Sequence, residues 1–195
     1  MAILYKSSWL FHSAMALAYR THKGERFRAV AHWIPEGAEV VDVCCGDGSL
    51  AEHLPPSVDY RGLDYSQALV RAAQRRGLKV EPFDLRCDNL PCSQVVVCQV
   101  SLFQFHPHAD SVLARLFAAA KQRLIISESV RSLTQSRWGW IASVVAWGVH
   151  MEGMTDNRFR FTPESLEQLF QPYRAHVRCA GPICGGRDWL FVLDK

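Results

Sequence analysis

No CxxC pair occurs in these 195 residues, and the seven cysteines, at 44, 45, 87, 92, 98, 179 and 184, are odd in number. A disulfide framework needs an even count and a zinc site needs paired ligands at short spacing, so the reading is reduced, mostly buried thiols, no metal, and a cytoplasmic protein. Long apolar runs are missing too. The most apolar stretch, residues 138–149, is well short of the ~20 residues that span a bilayer. Charge of one sign is scarce: 22 Lys+Arg against 19 Asp+Glu leaves +3, not the clustered excess with which a protein grips nucleic acid. With 49% hydrophobic and 21% charged residues, disordered and collagenous chains are excluded. No repeat and no linker-like shift in composition divides the chain, so a single domain over 1–195 is expected.

What is present is alternation. Short apolar runs exchange with helical patterns, as in a mostly parallel sheet with crossover helices. Strands are expected at 40–44, 60–63, 80–83, 94–100 and 123–127. Residues 50–53 begin the helix after the first strand, and further helices cover 66–76 and 110–122. Ser66 and Gly77 suit the two caps of the former, and Asp110 the N-cap of the latter. Thr162-Pro163-Glu164-Ser165 opens another helix, with Thr162 at the cap and Pro163 at the first helical position. Segments 177–180 and 189–193 close the chain as an antiparallel hairpin around Gly185-Gly186. Residues 84–93 are too few for a full crossover helix. At the N-terminus, Lys6 and an apolar run over 9–18 resemble a secretion signal. His12 interrupts that run and Tyr19-Arg20 follows it, so helices are expected over 1–38 instead. Residues 132–157 read as a helical lid.

The chemistry sits in Val41-Asp42-Val43-Cys44-Cys45-Gly46-Asp47-Gly48-Ser49, where the first strand hands over to a helix. Glycines there let the backbone turn sharply and let a ligand approach. Asp64 falls at the end of the second strand, where a carboxylate can accept both ribose hydroxyls, and Asp84 closes the third. Asp42, Asp64 and Asp84 are thus expected around one crevice. Each also has a plainer reading: a strand-to-helix turn for the glycines, a cap for Asp47, another for Asp64. Gly46-x-Gly48-x-x-Ala51 matches a dinucleotide fingerprint, but Asp42 and Asp47 would both face a pyrophosphate. Like charges ~4 Å apart cost about 4 kcal/mol at an effective dielectric of 20. A cationic adenosyl ligand turns that repulsion into attraction.

On these residues the sequence resembles the class I S-adenosylmethionine-dependent methyltransferases. The likeness runs over roughly 25–130: the glycine turn, Tyr60-Arg-Gly-Leu-Asp64-Tyr65-Ser66, Phe83-Asp84-Leu85 and Val96-Val97-Cys98-Gln99-Val100-Ser101. It implies an α/β, Rossmann-like, doubly wound, seven-stranded sheet with a C-terminal antiparallel hairpin, and S-adenosyl-L-methionine as cofactor. It also implies that Asp42, Cys44, Gly46, Asp47 and Gly48 hold the methionine part and Asp64 the ribose. Tyr65 would lie against the adenine, Asp84 and Leu85 at its polar edge, and Gln99 and Ser101 along the methyl end. Cys44 stands where the family usually has its first glycine, and Gln94 where an acidic residue is common.

The acceptor is less legible, because methyl transfer needs alignment more than a particular side chain. His106 and Glu128 are the catalytic candidates, with His108, His150, Tyr19 and His22 behind them. A solvated turn explains the histidines equally, and a strand-end cap explains Glu128. Trp138, Trp140, Trp147 and Met151 suit an apolar small-molecule acceptor, a core helix, or a patch on a membrane surface or another subunit. Arg158 and Arg160, beside Phe159 and Phe161, could grip an anionic group. Three alternatives stay open: a nucleic-acid methyltransferase, a nicotinamide-dependent oxidoreductase, and a cofactor-binding module without catalysis. Oligomeric state is not legible.

Overall fold

The computed structural model describes residues 24–130 and 159–195. The helices expected before residue 24 and the lid lie outside the described residues, and with them Tyr19, His22, Trp138, Trp140, Trp147, His150, Met151 and Arg158.

Seven strands form one sheet: β1 (Glu39–Val43), β2 (Asp59–Asp64), β3 (Val80–Pro82), β4 (Ser93–Gln99), β5 (Ala120–Ser129), β6 (Val177–Ile183) and β7 (Asp188–Asp194). Their order is β3-β2-β1-β4-β5-β7-β6. Pairing is parallel from β3 through β5, whereas β7 runs antiparallel to both β5 and β6. The doubly wound sheet with its closing hairpin therefore stands as expected. Among the described residues no helix is long and apolar enough to cross a membrane.

The strand sequences dictate two cores. Val95 and Val97 of β4 face one side of the sheet, and Val96 and Cys98 the other. Each face is covered, which is why this strand reads as a continuous apolar run. On the first side Val40, Tyr60, Val95, Val97 and Ile125 meet Val30 of helix α1 (Glu25–Ala31) and Val70 and Ala73 of α2 (Gln67–Arg75). On the second, Val41, Val43, Val96 and Ile126 meet Leu113 and Leu116 of α3 (Ala109–Ala119) and Leu166 and Phe170 of α4 (Pro163–Phe170).

N-caps fall where the sequence places them for two helices. Ser66 accepts a hydrogen bond from the Leu69 amide; at the other end the C-cap is Arg76, and Gly77 follows it at φ 80°. Thr162 and Ser165 form a reciprocal capping box ahead of α4. Three expectations are corrected. The helix after β1 is only a 3-10 turn, Ser49–His53, stopped ahead of Pro55-Pro56. The N-cap of α3 is His108 and not Asp110, which lies in the first turn. Helix α3 also ends at Ala119, because 120–122 join β5: Ala120 pairs with Ser93, and the Lys195 amide donates to the Gln122 carbonyl. The connection between β3 and β4 needs no helix. Asp84 and Asp88 bond to each other's main chain, and Arg115 of α3 donates to the carbonyls of Leu85 and Asp88.

Candidate active site

β1 lies between β2 and β4, so chain connections leave its carboxyl end in opposite directions and open a crevice there. The turn that follows holds three residues in the left-handed region: Cys44 at φ 58°, Gly46 at 62° and Gly48 at 73°. Two of them are glycine, for which that region costs little. Cys44 accepts it with a side chain, where roughly 1–2 kcal/mol is the usual cost. An alanine at Gly48 would also place its Cβ 2.9 Å from Leu78 Cδ1.

Asp64 clasps this turn. Its Oδ2 accepts the Gly46 N–H at 2.7 Å and its Oδ1 accepts the Ser66 N–H at 2.8 Å. Burial pushes its carboxyl up to about 6, with the two amides pulling down and Asp47 pushing up. Asp64 is thus at once the end of β2, the clamp on the glycine turn and a carboxylate facing the crevice.

Asp42 is not at the rim. In the parallel register it stands opposite Gly62, two residues below Asp64 on the same face, and it is fully buried. The Tyr60 hydroxyl donates to its Oδ2 at 2.9 Å, while its Oδ1 is buried without a hydrogen-bond partner. Burial raises this carboxyl to about 7. The tyrosine lowers it, the charge of Asp64 raises it, and Arg26 lowers it. Gly62 makes room for the cluster, since a Cβ there would sit 2.7 Å from Cys45 Sγ and 3.1 Å from the Tyr60 hydroxyl. Asp47 is also turned inward, accepting the Ser49 hydroxyl at 2.7 Å and facing Arg76 at 3.5 Å. The expectation that Asp42 and Asp47 both face the ligand is therefore corrected: Asp42 lies beneath the turn, and Arg76 offsets Asp47.

Asp84 does not close β3, which ends at Pro82 opposite Asp64, but lies two residues on, in the turn that follows, and belongs to a separate electrostatic unit. Arg86 grips both its oxygens, and that hydrogen-bonded guanidinium holds its carboxyl below the usual range. Next to it Tyr65 is half exposed, with the Arg86 guanidinium 5.0 Å from its ring centre. The Leu85 side chain is buried in the core, so contact with a ligand would run through its main chain. At the end of β4, Val100 turns left-handed at φ 49°, and the Ser101 hydroxyl donates to the Gln99 carbonyl at 2.9 Å. Gln99 Oε1 is buried without a partner.

Of the two catalytic candidates, Glu128 does not stand free to meet an acceptor. It is fully buried, its Oε2 accepting the Leu102 amide at 2.8 Å and its Oε1 the Ser129 amide at 3.1 Å. Burial raises its carboxyl to about 7 against those amides. It anchors the 3-10 turn Leu102–Phe105, so the strand-end cap is the reading its surroundings support. His106 is partly exposed and stacks on Phe159 with ring centres 3.7 Å apart. Phe161 meets Phe159 edge-on, and the Arg160 guanidinium lies 4.2 Å from the Phe103 ring centre.

Sequence reasoning missed Tyr60, Arg26, Arg76 and Arg86, all of which act on the acidic residues. Only Tyr60 left a usable signal, since a parallel register brings it alongside Val40, one step below Asp42. Chemically, two buried carboxyls with raised proton affinity, one holding an orphaned oxygen, favour a cationic ligand. A phosphate would meet repulsion there. The seven cysteines are free, and no group of residues suited to a metal ion occurs among the described residues.

Comparison with known proteins bears on the family and the fold. A family model described as "MetW: Methionine biosynthesis protein MetW" matches residues 24–142. No curated protein sequence matches the chain. Among solved structures, the magnesium protoporphyrin IX methyltransferase of Synechocystis PCC 6803, with bound S-adenosylhomocysteine, superposes with a TM-score of 0.65 at 16% identity, over 95% of this chain and 87% of that one. A methyltransferase dependent on S-adenosylmethionine from Aquifex aeolicus gives 0.62 at 14% identity, over 93% and 97%. Another from Thermotoga maritima gives 0.66 at 15%, over 98% of each chain. What is shared at these identities is the class I methyltransferase fold.

Proposed function

The chain belongs to the family of the methionine biosynthesis protein MetW, and on that footing we propose that it binds S-adenosylmethionine at the glycine turn and transfers the methyl group to a small-molecule acceptor. The observation that carries this reading is the Asp64 carboxylate holding the Gly46 amide at the switch point of the sheet. Each Asp64 oxygen takes one main-chain N–H and keeps a second lone pair for a ribose hydroxyl. The antiparallel β7 between β5 and β6 argues against a dinucleotide enzyme, whose sheet is parallel in the order 3-2-1-4-5-6.

When bound, the cofactor supplies a methyl carbon already activated by a sulfonium. The residues of the chain hold and align. The left-handed turn from Cys44 to Gly48 brings main chain to the methionine part, Asp42 and Asp64 offset positive charge from below, and Gln99 and Ser101 border the methyl end. The acceptor must meet that carbon in line, at about 3–3.5 Å. His106, with Phe159 and Phe161, supports an acceptor with a flat apolar portion. It takes a proton only from a nucleophile that arrives protonated. Glu128 keeps the loop after β4 in position.

Calorimetry with S-adenosylhomocysteine and with a nicotinamide dinucleotide tests the cofactor. We expect the former to bind, and Asp64→Ala to weaken it at least about tenfold while circular dichroism stays native. Binding of the dinucleotide alone would overturn the reading. A labelled-methyl assay on cell extract then identifies the acceptor as a small molecule, whereas label on RNA or DNA would replace it with a nucleic acid.

A further inference from the structure

Two of the seven cysteines meet where the glycine turn leaves the sheet, and the reading above gives their thiols no role. In the parallel ladder Val43 of β1 stands opposite Cys98 of β4, so Cys44, the next residue, begins the turn beside Cys98. One strand spacing and one residue step put the two Cα atoms ~6 Å apart, inside the range of roughly 4.4–6.8 Å that a disulfide tolerates. The side chains also share a face. Cys44 packs against the core that contains Cys98, and the two thiols hydrogen-bond. Cys45 is turned to the opposite core, its Sγ donating to the Gly46 carbonyl at 3.6 Å. The partner of Cys44 is therefore Cys98 and not its chain neighbour.

The two thiols differ in access and in acidity. Cys98 is buried, whereas Cys44 is partly exposed in the turn. The bond to Cys44, burial, and the charges of Glu128 and Asp42 push the Cys98 thiol well up, so it keeps its proton. Attack on an oxidant therefore falls first to Cys44, and Cys98 stands behind it to resolve the product.

We propose that Cys44 and Cys98 form a reversible oxidation site whose reactant is a hydroperoxide, and that the joined form binds the cofactor less tightly. The Cys44 sulfur attacks the peroxide: an S–O bond forms, the O–O bond breaks, and the other oxygen leaves with a proton as water or an alcohol. The Cys98 sulfur then displaces the hydroxyl from Cys44: the S–S bond forms, the S–O bond breaks, and the hydroxyl leaves as water with the Cys98 proton. The two thiols give up two electrons and the peroxide takes them. Closing the sulfurs to ~2.05 Å draws the first residue of the turn toward β4, away from the position in which its main chain meets the methionine part. A small thiol reverses the step by exchange. The effect on binding rests on the cofactor reading above; the bond itself does not.

The test treats the full chain with hydrogen peroxide, maps its peptides by mass spectrometry, and measures S-adenosylhomocysteine binding by calorimetry before and after dithiothreitol. The expected result is a linked Cys44–Cys98 peptide and an affinity at least about tenfold weaker, both reversed by dithiothreitol. Saturating S-adenosylhomocysteine should slow the appearance of the linked peptide, since binding and bond formation oppose each other. Cys44→Gly, which suits the φ of 58° at that position, should keep its own starting affinity through the same treatment. Oxidation confined to the exposed Cys87 and Cys92, with no linked peptide, would overturn the proposal. So would a linked peptide with unchanged affinity, or a Cys44→Gly chain that loses affinity as the wild type does. A reduced chain that binds no S-adenosylhomocysteine overturns the cofactor reading and the effect on binding with it, and a linked peptide then still upholds the oxidation site.

Discussion

At the scale of single residues, the buried acids decide how the protein answers to pH. Asp42, Asp64 and Glu128 have folded-state carboxyls raised to about 7, 6 and 7, and Asp188 moves in the same direction. The folded state therefore holds protons more tightly than the unfolded chain. The stability this contributes is fully present below about pH 4 and drains away as pH rises through about 6 to 7. Asp84, Asp194 and Glu164 are lowered and work the other way, but their contribution is complete above the ordinary carboxylate range. Urea midpoints should accordingly fall between pH 5 and pH 8, and Asp42→Asn should flatten that slope; an unchanged slope would clear Asp42 of the effect. Gly62 carries a second prediction. Alanine there meets Cys45 Sγ at 2.7 Å and Val80 Cγ2 at 2.9 Å, inside a packed layer. Gly62→Ala should cost about 1–3 kcal/mol in chemical denaturation, and a midpoint equal to wild type would show that the layer gives way freely. The acidic residues were legible as a set, whereas the partners that give each one its role were not. Arg76 reaches Asp47 from 29 positions away, and Arg26 acts on Asp42 from an earlier helix. Contacts of that separation leave no local pattern to read.

At the scale of elements, local chemistry was legible where it acts locally. The caps at Ser66 and Thr162 bond main chain within three residues, so their sequence pattern is the mechanism itself. Thr162→Ala should cost about 1 kcal/mol of stability by thermal melting, unless the capping box is redundant with packing of Leu166 and Phe170. Segment 120–122 misled for the opposite reason. Its residues suit a helix, and only pairing with β4 and the chain's last residues draws them into β5. The helix-free crossing from β3 to β4 depends likewise on a distant donor. Arg115→Ala should raise hydrogen exchange across 84–92 while β4 and β5 keep their protection, and unaltered exchange there would show that the turn of Asp84 and Asp88 suffices alone.

At the scale of the whole molecule, the alternation of strands and helices and the location of the crevice were legible, whereas the seven-stranded sheet was implied by the family resemblance. The first two follow from which apolar runs are continuous and where glycine interrupts them. The acceptor side was not, since its described residues, His106, Phe103, Phe159 and Phe161, converge from separate parts of the chain. The placement of β7 has a consequence for synthesis. It is the last strand in chain order, yet both its neighbours are made before it, and it pairs with β5 over seven residues. Until residues 188–194 have left the ribosome, the long flank of β5 stands unzipped and β6 has nothing to dock on. A nascent chain carrying every residue of the glycine turn thus still has an open seam beside β5.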